Sequence, residues 1–145
     1  MGAHLTFAED NMIRDSLLHE IDKTFPGWEM TLDPNSNVIV RFHCIQSDVG
    51  DVVIYDDGDE ATVCIENISH GHFSSHDESL DKAANEQEVA TDVIDFLKAL
   101  FADQVLLYTT QDHRNGGWIR LDLADGPAQL SSRHRYFLWS KPYHQ

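Results

Sequence analysis

Apolar residues recur at two different periods along this chain, and the changes of period lay out its elements. Ile13, Leu17, Leu18, Ile21 and Phe25 repeat at helical spacing, with Glu9, Asp10, Asp15, Glu20 and Asp22 between them. That spacing predicts an amphipathic helix over Ala8 to Thr24, ended by Pro26 and Gly27. A second helix is predicted over Glu86 to Ala102. There Val89, Val93, Phe96, Leu97, Leu100 and Phe101 make a broad apolar stripe opposed by Glu88, Asp92, Asp95 and Lys98. Its expected role is to cover a sheet.

Elsewhere the period shortens to two. A short strand over Trp28 to Leu32 closes in the turn sequence Asp33 to Asn37. Val38, Val40, Phe42 and Cys44 then alternate with Ile39, Arg41, His43 and Ile45, which predicts a central strand with one dry face. Asp51 to Tyr55 and Ala61 to Ile68 read as a hairpin, since Gly58 supplies the positive-φ position of a short acidic turn. These strands make an antiparallel meander. The polar stretch His76 to Asn85 reads as loop. Gln104 to Thr110 and Trp118 to Leu123 read as a second hairpin, with Gly116 and Gly117 serving its turn. The expected fold is therefore α+β: an antiparallel sheet, meander plus second hairpin, packed mainly on one side by two amphipathic helices. At 145 residues the chain is expected to form a single domain spanning 1–145.

The tail from Ser131 to Gln145 departs from the rest. It holds Arg133, Arg135 and Lys141 with no acid, and the aromatics Tyr136, Phe137, Trp139 and Tyr143. It is expected to dock on the body as a last strand that seals a sheet edge.

Charge changes the functional picture most. Twenty-five Asp and Glu against ten Lys and Arg give a formal net charge of −15. Such a field repels phosphate backbones and anionic lipid surfaces, so direct nucleic-acid binding and membrane binding are both disfavoured. Cys44 and Cys64 sit in apolar strand patterns, which predicts two buried thiols in a reducing compartment; on adjacent strands they could also face each other. The N-terminal stretch lacks a basic region followed by an apolar run, and no stretch approaches a membrane span, so a cytoplasmic protein is expected.

Candidate chemistry gathers between Gly50 and His76. His70 and His72 lie two apart in an extended stretch and share a face, and His76 follows four later, with Asp77 and Glu78 as possible oxygen ligands. Three imidazoles at one ion would favour zinc, and an activated water would then make a small hydrolase-like metalloenzyme. The acidic turn is no calcium loop: with Gly58 as its sixth position, Val53 and Cys64 occupy ends that require acids. Neither a nucleophile elbow nor a phosphate-cradling loop is present. As a surface, Asp48, Asp51, Asp56, Asp57, Asp59 and Glu60 crowd together and are expected to project from one end of the sheet. They would speed encounter with a basic protein and orient it. Tyr55 or Trp118, if exposed, would anchor the centre of that interface.

The segment HCIQSDVGDVVIYDDGDEATVCIENISHGHF, followed by the helix ending FLKALFADQV, resembles small uncharacterised bacterial domains. The chain is similar in general character to acidic immunity proteins that neutralise cationic toxins. The similarity spans Val38 to Val105 and brings no catalytic motif with it. It implies a cytosolic bacterial inhibitor or binding partner; no cofactor is expected, and the expected partner is a basic protein such as a toxin or effector. The metalloenzyme, and an acidic mimic of nucleic acid, are the alternatives.

Overall fold

The computed structural model describes residues 12–33, 35–75, 79, 81–112, 114–126 and 129–143. Helix α1 spans Met12–Thr24, and strands β1 (Met30–Leu32), β2 (Val38–Phe42), β3 (Val52–Asp56), β4 (Glu60–Ile65) and β5 (Ser69–Ser74) follow it. Helix α2 covers Lys82–Phe101. Strands β6 (Val105–Thr110) and β7 (Gly116–Arg120), a 3-10 turn at Leu121–Leu123 and strand β8 (His134–Phe137) complete the chain. The first five strands form an antiparallel meander in the order β1-β2-β3-β4-β5, and the last three form a separate sheet in the order β7-β6-β8. The architecture is α+β with antiparallel sheets. Instead of one sheet there are two, and the meander has five strands because His70 and His72 belong to a strand of their own.

Helix α1 buries Ile13, Leu17 and Ile21, with Phe25 just beyond its end. Helix α2 buries Val89, Ala90, Val93, Phe96, Leu97 and Leu100, and the Asp81 carboxylate caps its first turn by accepting from the Ala84 N–H at 2.8 Å. Both stripes join the inward faces of both sheets in one core. A register shift between Val38 and Val40 breaks the alternation expected of β2, so Ile39 and Val40 are both fully buried while Val38 is only half-buried.

The tail strand β8 pairs with β6, setting Phe137 opposite Leu107. Beyond it, buried Trp139 stacks on Phe101 at 5.2 Å. Strand β7 meets β5 at a close approach: the Trp118 ring lies on Gly71, where a Cβ would stand 2.8 Å from its Cζ2. Gly116 and Gly117 are strand residues, and Gly116 presses against the Ile68 carbonyl instead of forming the turn. No helix among the described residues is long and apolar enough to cross a membrane.

Candidate functional site

The acidic turn is the tip of the β3–β4 hairpin. Gly58 takes φ +91°, a conformation costly for other residues, and its N–H bonds the Asp56 carboxylate at 3.0 Å while Asp57 N–H reaches the Glu60 carbonyl at 3.0 Å. The tip is thus a built turn carrying four carboxylates: Asp56 half-buried, Asp57 and Asp59 exposed, Glu60 half-buried. None of these four forms an ion pair with a Lys or Arg among the described residues.

Across the outer face of the sheet, β5 brings His72 to this tip. Thr62 opposes His72 in the β4–β5 register, and its hydroxyl joins two groups: it donates to the Asp57 carboxylate and lies 2.9 Å from His72 Nδ1. With the hydroxyl hydrogen given to Asp57, the Thr62 oxygen accepts from His72 Nδ1–H and leaves Nε2 as the free imidazole nitrogen. Glu60 Oε1 lies 3.5 Å from the same Nδ1. Ligand-type atoms of Asp57, Glu60 and His72 all fall within 4.8 Å of one another, so this is where a cation would be held if one bound. The Thr62 hydroxyl already satisfies Asp57 and His72 there.

The histidine set expected from sequence is therefore reorganised. His70 and His72 do share a face, with ring centroids 5.4 Å apart, yet the carboxylates of the hairpin tip complete the cluster around His72. His76, with Asp77 and Glu78, lies outside the described residues.

The expectation that six acids project from one end of the sheet does not hold for two of them. β3 separates Asp51 from Asp57 by the length of a five-residue strand, about 17 Å at the usual rise. At that far end Asp51 is engaged by Arg41 at 3.0 Å and by the Cys44 N–H at 2.8 Å, while Arg41 also reaches Glu66 at 3.0 Å. Burial works to raise the Asp51 carboxyl, but the Cys44 N–H, the Arg41 guanidinium and the Cys44 side chain outweigh it and hold it below its ordinary value. Asp48 sits beside the tail, 3.6 Å from Arg135.

Nor do the two aromatics stand out as anchors. Tyr55 is half-buried opposite Thr62 and Val38. Trp118 is half-buried and packs on Phe96 at 4.9 Å, where it closes the joint between the sheets.

Cys44 is exposed and Cys64 half-buried, and both are free thiols, against the expectation of two buried ones. β2 ends at Phe42, so Cys44 lies past the strand that was to bury it. Loss of solvent around its sulfur and the Asp51 carboxylate both push its thiol up.

The Arg41–Asp51–Glu66 network went unread in the sequence, although its signal was there: Arg41 is the one cation inside an otherwise apolar strand pattern. A cleft of about 740 Å³ also lies outside the expected site, along the tail between Asp48, Ser131, His134, Arg135, Tyr136 and Tyr143. Its polar groups are turned on each other. Arg135 pairs with Asp48 and overlies the Phe137 ring at 5.2 Å, and the Tyr136 hydroxyl accepts from Ser131 N–H at 2.7 Å.

No protein-family model, curated protein sequence or solved structure matches this chain.

Proposed function

We propose that this chain is an acidic, non-enzymatic protein-binding module of the immunity or inhibitor type, acting in the cytoplasm to neutralise a cationic toxin or effector. One observation carries the reading: Asp56, Asp57, Asp59 and Glu60 crowd a single hairpin tip without a Lys or Arg counter-ion among the described residues, whereas Asp48 and Asp51 are paired with arginines. Acids left uncompensated at one end of a rigid hairpin create a local field that accelerates encounter with a basic surface.

Two further features support it. The mean hydropathy of −0.38 and the charge of −15 suit a body that repels nucleic acid and draws cations. The resemblance in general character to acidic immunity proteins points the same way.

The test is kinetic. A basic partner is captured from the native host and identified, and its association is followed by stopped flow at low and high salt. Replacing the tip acids together (Asp56→Asn, Asp57→Asn, Asp59→Asn, Glu60→Gln) is expected to slow association about tenfold or more at low ionic strength and little at high. An unchanged low-salt rate removes the tip from the interface. A captured partner that double-stranded DNA displaces would instead favour the mimic of nucleic acid.

A further inference from the structure

We infer that β1 and the Trp28 side chain beside it form the docking edge for an extended, cationic segment of the partner protein. The inference rests on the reading above and says where that partner sits.

β1 is the last strand on its side of the five-stranded sheet, and among the described residues nothing pairs along its outer edge. A free strand edge offers unpaired N–H and C=O groups to an incoming chain. Among the described residues four large apolar side chains are exposed: Trp28 at 41%, Leu32 at 52%, Ile45 at 61% and Leu123 at 69%. Three of these four gather at this edge. Trp28 stands between two shallow hollows, one of about 230 Å³ shared with Phe42, Ile45 and Trp139, the other of about 250 Å³ shared with Leu18, Met30 and Leu32. Met30 and Phe42 are paired neighbours on one face of the sheet, so side chains two apart on a docked strand would meet the two hollows in turn. Trp139, buried in the wall of the first hollow, has an indole Nε1–H without an acceptor among the described residues.

Charge complementarity selects the occupant. Asp22 and Glu29 contribute to the walls of these hollows, and Asp33 follows β1 directly. None of the three carboxylates is ion-paired with Lys or Arg among the described residues; Arg14 reaches the loop beyond β1 through the Asp33 carbonyl at 3.0 Å and the Ser36 carbonyl, so the acidic rim is strongest at Asp22 and Glu29. The same edge continues into the acidic tip, because the β1–β2 loop is tied to β3 through Asp56 N–H and the Asn37 carbonyl at 2.7 Å. An apolar ridge with an acidic rim fits a strand that alternates apolar residues with Lys or Arg.

The probe is a seven-residue peptide alternating lysine and valine, titrated into the full chain and followed by amide NMR, with a glutamate–valine peptide as comparison. Saturable shifts are expected at Met30 to Leu32 and at the Trp28 indole N–H, from the lysine peptide alone. Trp28→Ala is expected to weaken binding about tenfold or more, the loss typical of an interfacial aromatic anchor. Because Trp28 also packs on Phe101 at 4.5 Å and Phe25 at 5.3 Å, so that its removal touches the core, the second measurement uses the unaltered chain. At least one amide of Met30 to Leu32 should exchange rapidly in the free protein and slow when the peptide binds. Shifts confined to residues 56–60 overturn the docking edge while leaving the charged tip in place. Equal binding of the glutamate peptide overturns both. Full protection of all three β1 amides before peptide is added, by the chain's own residues or by a second copy, overturns the edge alone.

Discussion

Replacing Gly71 by alanine should strain the joint between the two sheets without touching any charge. The added methyl would lie 2.8 Å from Trp118 Cζ2 and 3.1 Å from Cη2, against the roughly 3.5–4.0 Å of an ordinary carbon contact. The ring must therefore retreat by about 0.5–1 Å, but Phe96 stands against it at 4.9 Å and Phe73 against Phe96 at 5.6 Å. Phe96 is 2% exposed, so the displacement enters the core. Overpacking costs about 1–3 kcal/mol, here about 2–3 because Phe96 and the core back the ring, and alanine recovers about 1 kcal/mol over glycine in a strand. The net loss is then about 1–2 kcal/mol. A chain of 145 residues carries an unfolding entropy of about 0.3 kcal/mol per degree, which places the fall in Tm at about 3–7 °C by calorimetry. Trp118→Phe removes the two atoms in conflict, so Gly71→Ala should cost about 1 kcal/mol less in that background. A Gly71→Ala protein that melts at or above the parent, or a double mutant with strictly additive losses, refutes this account of the joint.

Three other outcomes follow from the network around Asp51 and from the cluster at His72. Asp51 is held below its ordinary value of 3.8, so its contribution to stability is present above about pH 4 and is lost as the pH falls through the folded value. Asp51→Asn should accordingly lower denaturant stability by about 1–2 kcal/mol at pH 7, and the gap to the parent should close below pH 4; a gap independent of pH contradicts the ionised bonds. Because the Asp51 carboxylate helps push the exposed Cys44 thiol up, the same substitution should speed iodoacetamide labelling of Cys44 several-fold at pH 7.5, read by mass spectrometry. An unchanged labelling rate would show that lost solvation alone controls the thiol. Chelator is expected to leave Tm unchanged, since the Thr62 hydroxyl already bonds Asp57 and His72; a rise in Tm with equimolar zinc that His72→Ala abolishes would favour the metalloenzyme reading.

The elements were legible wherever one side of the chain meets the core and the other meets water. Both helical stripes and the β3–β4 hairpin follow from that alternation, and the docked tail strand from its aromatics and its basic residues. What escaped depends on partners distant in sequence. The period of two gave little sign that β5 is a separate strand, because Ser69 to Ser74 holds one large apolar residue, Phe73, among Ser, His and Gly, and His70 and His72 read only as an extended continuation of the strand before them. It could not register the bulge that buries Ile39 beside Val40, which adds one residue without changing composition. Glu86, 2% exposed beside Lys82 Nζ at 3.1 Å, reads in sequence as one more polar helix residue. The six-acid surface failed for a related reason: proximity along the chain is not proximity across a strand, and β3 carries Asp51 and Asp57 to opposite ends of the sheet.

Compensation of charge separates an inhibitor surface from an imitation of nucleic acid. A mimic needs carboxylates repeated along a track, because duplex phosphates recur at about one charge per 1.7 Å of axis. The outer face of the five-stranded sheet interrupts any such track. Arg41, Val53, Cys64 and His70 line up across β2 to β5, and Arg41 draws Asp51 and Glu66 into a compensated cluster. On the other sheet, Arg120 does the same to Asp122 and Asp95, at 2.8 and 3.1 Å. Unpaired acids crowd the compact tip and the β1 edge, where exposed Trp28 and Leu32 interleave with them, while others such as Glu88 and Asp92 stand on the exposed face of α2. Apolar side chains among acids suit a protein partner, whose docking buries both, and they offer nothing to a site built to grip phosphates.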